Sequence, residues 1–204
     1  MSDANNIVIF DFETTGLSPK MGDRAIEIGA VRIKNGLVVE RFQALMHPGM
    51  RVNSFIENFT GISNEMLAEA QPCAVVMDNF CDFIDSDNLV AHNASFDKSF
   101  LDAELQRISR HYSGQISCSM LLARRILRDA PNHKLGTLVD YLNIQSEGGY
   151  HRALFDSEMT AQVWLAMITK IQHHYKIPTV SFALLQKLCK TPASAVHRLL
   201  SNWQ

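Results

Sequence analysis

Hydrophobic positions along the chain come first in short β-branched runs and later at helical spacing. Residues 7–16 read I-V-I-F-D-F-E-T-T-G, an apolar strand that ends in two acids. Side chains alternate across a strand, so Asp11 and Glu13 share one face while Phe10 and Phe12 share the other. Residues 17–23 contain Ser18, Pro19 and Gly22 and read as a loop. A second apolar strand over 25–33, the Asn35-Gly36 pair and a third strand over 37–46 predict an antiparallel meander. Glu27, inside the second strand, is expected to be a structural carboxylate on that strand's half-exposed side. Residues 47–61, with Pro48, Gly49 and Gly61, read as irregular.

Ser63 is a predicted N-cap for a short helix with Glu65 in its first turn. Val76, Phe80, Phe83 and Ile84 mark a helix over 72–84, and a short strand at 89–91 follows. Residues 95–108 then show helical spacing, with Phe96, Phe100 and Ala103 on one stripe. A short strand at 115–118 leads to helices over 120–127 and 135–142. Gly148, Gly149 and Tyr150 predict a flexible approach to a last long helix, 152–173, which is apolar nearly all round and so expected to be buried. Pro178 ends that helix. Two short helices, 181–189 and 193–203, complete a segment (176–204) expected to pack on a domain formed by 1–175. A helix-turn-helix is the alternative reading of this pair.

Composition narrows the class more than the function. A chain of 204 residues with 47% hydrophobic and 20% charged positions suits one soluble domain with a full core. No apolar run approaches the roughly 20 residues that cross a bilayer, and the polar start around Asp3 shows no signal peptide. The cysteines at 73, 81, 118 and 189 form no C-x-x-C pair, which argues against a zinc site or a disulfide framework and predicts a cytoplasmic protein. Net charge is −2, so nothing draws the whole molecule toward nucleic acid. A repressor or processive clamp is disfavoured. An enzyme that grips a few nucleotides through its own cations is not. The basic stretch Arg124, Arg125, Arg128, His133 and Lys134 reads as a solvated helix face, with a phosphate-contacting flank as the alternative.

Taken singly, Asp11 and Glu13 would be edge polarity and Asp97 would decorate a helix start. Asp97, however, follows a strand directly and stands where open α/β sheets place their sites. Asp156 lies on a stripe with Thr160, Val163 and Met167, and a carboxylate on an apolar face demands a partner. Four converging carboxylates repel, so at least one must hold a raised pKa without a cation. Oxygen-only ligands select Mg²⁺ or Mn²⁺, and two such ions would clamp a phosphodiester. His151, five residues before Asp156 and off its helix face, is then a candidate general base.

Residues 11–16 (DFETTG), 93–97 (NASFD) and 151–156 (HRALFD) together resemble the three motifs of the DEDDh family of 3′→5′ exonucleases. Gly22-Asp23-Arg24, Ile26-Glu27-Ile28-Gly29-Ala30 and Thr60-Gly61-Ile62 add to the likeness, which covers about residues 6–172. The resemblance implies an α/β, ribonuclease H-like fold with a five-stranded mixed sheet flanked by helices. It implies hydrolysis of DNA 3′ ends to nucleoside 5′-monophosphates with two Mg²⁺ or Mn²⁺ ions, in repair or proofreading. Asp11, Glu13, Asp97 and Asp156 would ligate metal and His151 would act as base. Thr14, Thr15 and Leu17 would cradle the terminal nucleotide. Thr60 stands where proofreading members have a histidine, which argues against a substrate role there. A polymerase or repair complex is the implied partner class. Two alternatives remain: the same chemistry on RNA ends, and a non-catalytic module that only binds such a complex. Retention of all five chemical positions argues against the second. A DNA-docking role for the C-terminal helix pair is a further, weaker reading.

Overall fold

The computed structural model describes residues 3–146 and 151–203. The acidic strand β1 (Ile7–Thr14) pairs with β2 (Ala25–Lys34), and β2 with β3 (Leu37–His47), both antiparallel. A 3₁₀ turn, Pro19–Met21, lies within the loop after β1. Asn35 and Gly36 both take positive φ, 53° and 77°, the backbone a two-residue hairpin requires.

The segment expected to be irregular contains α1 (Ser54–Thr60), and α2 (Asn64–Glu69) follows with its predicted Ser63 cap. The α1 helix was hidden because Pro48 and Gly49 dominate the local pattern. Asn53 starts it by accepting the Ile56 N–H through its side-chain oxygen at 3.0 Å. Next come β4 (Gln71–Pro72), α3 (Cys73–Ile84), β5 (Leu89–Ala91), α4 (Ser95–Arg107) and β6 (Ile116–Cys118). The chain continues through α5 (Ser119–Ile126), α6 (Leu135–Tyr141), α7 (Ala153–Tyr175), α8 (Phe182–Lys190) and α9 (Val196–Ser201). Gly148, Gly149 and Tyr150, read as a flexible approach, lie outside the described residues.

The mixed sheet has the order β4-β3-β2-β1-β5-β6, six strands where five were expected. The sixth is β4, whose two residues pair with Met46 and His47 and are too few to show a period. Alternation along β1 divides the core. Val8, Phe10 and Phe12 pack with α3 and α4, while Ile7 and Ile9 pack beneath α5 to α9. Asp11 and Glu13 therefore belong to the second face, the one α7 covers. Trp164 of α7 is buried there and donates its indole N–H to the Ala4 carbonyl at 3.1 Å. The edge strand β6 is closed by α8: the Gln186 amide donates to the Ile116 carbonyl at 3.2 Å and the Cys189 thiol to that of Cys118 at 3.5 Å. Among the described residues no helix is long and apolar enough to cross a membrane.

Candidate active site

Three elements bring the four acids to one place. The carboxyl end of β1 supplies Asp11 and Glu13, the first turn of α4 supplies Asp97, and the first turn of α7 supplies Asp156. Asp97 is drawn to β1 by accepting the Phe12 backbone N–H at 3.2 Å. Glu13, Asp97 and Asp156 are buried, and Asp11 is half-buried. The outer oxygens Asp97 Oδ2 and Asp156 Oδ1 are buried with no hydrogen-bond partner. Such an orphaned oxygen costs on the order of 1–3 kcal/mol, and two pointing into one acidic cluster are an unmet demand for positive charge.

Burial dominates the electrostatics. It raises the Asp11 carboxyl well above its ordinary range, with Asp97 and Glu13 adding repulsion. Glu13 rises to about 8, again chiefly by burial and then by Asp156 and Glu27. Asp97 rises to about 7 through burial, and Asp156 is raised for the same reason. Neutral carboxylic acids are how this cluster tolerates itself without a cation. Oxygen-only donors with raised pKa values and two unsatisfied oxygens fit hard divalent ions such as Mg²⁺ or Mn²⁺.

His151 is exposed, two residues before α7, with φ of +68°. Its backbone N–H donates to Asp156 Oδ2 at 3.0 Å. One ring nitrogen, one Glu13 oxygen and one Asp156 oxygen all lie within 4.8 Å of one another. The imidazole also packs on Phe59 of α1, with ring centroids 3.9 Å apart, and Phe55 stacks on Phe59 at 5.8 Å.

The residues expected to contact the nucleotide lie at the end of β1 and in the loop after it. The Thr14 hydroxyl donates to the Gly16 carbonyl at 2.6 Å, and the Thr15 hydroxyl accepts the Arg24 N–H at 3.0 Å, so both brace their own turn. Leu17, in the loop after β1, stands 84% exposed. Thr60, the last residue of α1, is buried, donating to the Ile56 carbonyl within the helix and accepting the Ile62 N–H just beyond it. His92 is a half-buried residue whose ring nitrogens meet the Ser119 hydroxyl at 2.8 Å and the His133 carbonyl at 2.9 Å.

Glu27 differs from the sequence expectation: it is fully buried, not half-exposed, because α7 seats on its face of β2. Arg152 and Phe59 were not singled out from sequence. Only the place of Arg152 between His151 and Asp156 hinted at a role.

Residues 8–164 match the family described as "Exonuclease" (RNase T). The DNA polymerase III PolC-type of Caldanaerobacter subterraneus is 36% identical over 165 residues, 81% of this chain and 12% of that protein. The 3′-5′ exonuclease DinG of Bacillus subtilis is 33% identical over 95% of this chain and 20% of its own length. This chain thus spans an eighth to a fifth of those relatives. The DinG match leaves too few residues unmatched to omit the whole 176–204 segment. Among solved structures, Exonuclease X in complex with 5′ overhanging duplex DNA superposes with a TM-score of 0.70 at 24% identity, covering 90% of this chain and 99% of that one.

Proposed function

We propose, from the premise that this chain belongs to the exonuclease family and is of its DEDDh type, that it removes nucleoside 5′-monophosphates from DNA 3′ ends. The observation that carries this reading is the convergence of Asp11, Glu13, Asp97 and Asp156, with two buried orphan oxygens, beside His151. Those four carboxylates would hold two divalent ions, Mg²⁺ or Mn²⁺. When bound, the ions supply neutralisation of the scissile phosphate and activation of a water. His151 accepts the proton of that water, an imidazole free to exchange with solvent being suited to the task. Asp156 fixes the His151 backbone through its Oδ2, and its unpartnered Oδ1 would be the oxygen that holds an ion. Leu17 and the Thr14-Thr15 turn receive the terminal nucleotide.

The names of the polymerase and DinG relatives support DNA as substrate, a replication or repair setting, and a polymerase or repair complex as partner. Residues 1–175 form the catalytic unit, with 176–204 docked on it. Four free thiols suit a reducing cytoplasm.

The test is digestion of 3′-labelled oligonucleotides, DNA and RNA side by side, with Mg²⁺ or Mn²⁺ and with chelator. Stepwise release of mononucleotides from DNA is expected only with metal, and RNA is expected to be cut more slowly. Metal-independent cutting, or an Asp156→Asn variant as fast as the parent, would overturn the assignment.

A further inference from the structure

The sheet register places a fifth acid against the cluster. Glu27 of β2 is the direct cross-strand partner of Glu13, and two positions on, Gly29 faces Asp11. Like charges directly opposite one another destabilise a strand pair, and Glu27 is 0% exposed. Its charge is met from elsewhere. Arg152 donates Nε to both Glu27 oxygens, at 3.3 and 3.2 Å, and a terminal nitrogen to Oε1 at 2.8 Å. The Ala153 N–H donates to Oε2 at 3.1 Å and the Gln43 amide to Oε1 at 2.9 Å. The five hydrogen bonds that Glu27 accepts all come from the start of α7 or from β3.

The same pad seats the helix. A Cβ on Gly29 would strike the backbone of Ala153 and Leu154, so only glycine lets α7 descend this far. The Ser157 hydroxyl donates to the Gly29 carbonyl at 2.9 Å. Beside these anchors stand the two residues that the catalytic reading needs from this segment, His151 one position before Arg152 and Asp156 four after. His151 also has a left-handed backbone, which costs a non-glycine residue about 1–3 kcal/mol and persists only where neighbours fix it.

We propose that the Glu27–Arg152 pair is a positioning device for the reaction: it sets the α7 start, and so the placement of His151 and Asp156, while keeping Glu27 out of the metal-ligand set. The arginine neutralises the fifth acid, which leaves four carboxylates to balance two divalent ions. This inference rests on the exonuclease reading above.

The test measures kcat and KM for 3′ DNA cleavage in Glu27→Gln, Arg152→Ala and the double variant. Each single change is expected to lower kcat about 10- to 100-fold, the scale for removing a group that orients a ligand, with KM within about twofold. Because the two act as one unit, the double variant should fall no lower than the worse single one. Methylguanidinium should raise the Arg152→Ala rate and leave the parent unchanged. Melting curves accompany each assay, and isosteric Glu27→Gln decides alone if Arg152→Ala does not fold. Unchanged kcat in folded Glu27→Gln, a loss confined to KM, or multiplicative losses in the double variant would overturn the proposal. A parent that cuts while the variants cut equally well sinks this inference only, whereas a parent that never cuts sinks the functional reading.

Discussion

Four carboxyls whose pKa values burial raises make the ion-free protein sensitive to pH in an unusual direction. Glu13 goes from an ordinary 4.5 to about 8, and Asp97 from 3.8 to about 7. Between those values the folded state binds more protons than the unfolded one. The contribution is full below about pH 4 and is lost as pH rises through 7 and 8. His92 opposes it, because burial pushes that imidazole down from 6.5 to about 4, so its contribution fades as pH falls through that span. Several acids outweigh one histidine, so the expected result is a melting temperature that declines from pH 5 to pH 9 in chelator. Added Mg²⁺ should reverse the decline most strongly at the alkaline end, where the ligands are ionised. Calorimetric scans with and without Mg²⁺ check both statements. Asp156→Asn should cost about 10²- to 10³-fold in kcat, the scale for one preorganised electrostatic group, yet raise the melting temperature in chelator at pH 8. A variant that loses both activity and stability would contradict this account.

Among the elements, α7 carries the most. Its stripe Asp156, Thr160, Val163 and Met167 is buried throughout, as the spacing predicts. That acid was legible because a period of 3.6 residues exposes any polar intruder on an apolar face. Glu27 was not legible, since its partner is 125 residues away and nothing local says that a helix will land on that strand. The helix α1 was masked by its flanking proline and glycines, and β4 by its brevity, whereas the Asn35-Gly36 turn was transparent because few sequences tolerate its dihedrals. The close seating of α7 on β2 gives a sharp expectation for Gly29→Ala. Overpacking usually costs about 1–3 kcal/mol, and here the obstacle is helix backbone, so the lower end should be exceeded. Urea unfolding measures the cost. Cleavage rates should fall with it, because the displaced turn carries His151 and Asp156.

At the scale of the molecule, the catalytic edge depends on a core that residues beyond 175 help to fill. Phe182, Leu184, Leu185 and Leu188 of α8 are fully buried in the same cluster as Ile7, Ile9 and Trp164. Burying such side chains stabilises by about 1.5–3 kcal/mol each, so together they rival the 5–15 kcal/mol that typically separates folded from unfolded. Truncation after Tyr175 should therefore yield protein that is insoluble or melts far below the parent, with β6 left as a bare edge prone to pairing. A soluble, fully active truncation would show that α8 only decorates the domain.

The chain's two indoles sit in unlike surroundings. Trp164 is sealed in the interior and bonded to Ala4, whereas Trp203, past the end of α9, is half-buried with the Lys187 ammonium 5.3 Å from its ring centre. Intrinsic fluorescence thus divides by position, a blue emitter for the sheet-facing interior and a redder one for the outer helices. Peeling of the terminal helices can in this way be watched separately from global melting, without attaching a dye.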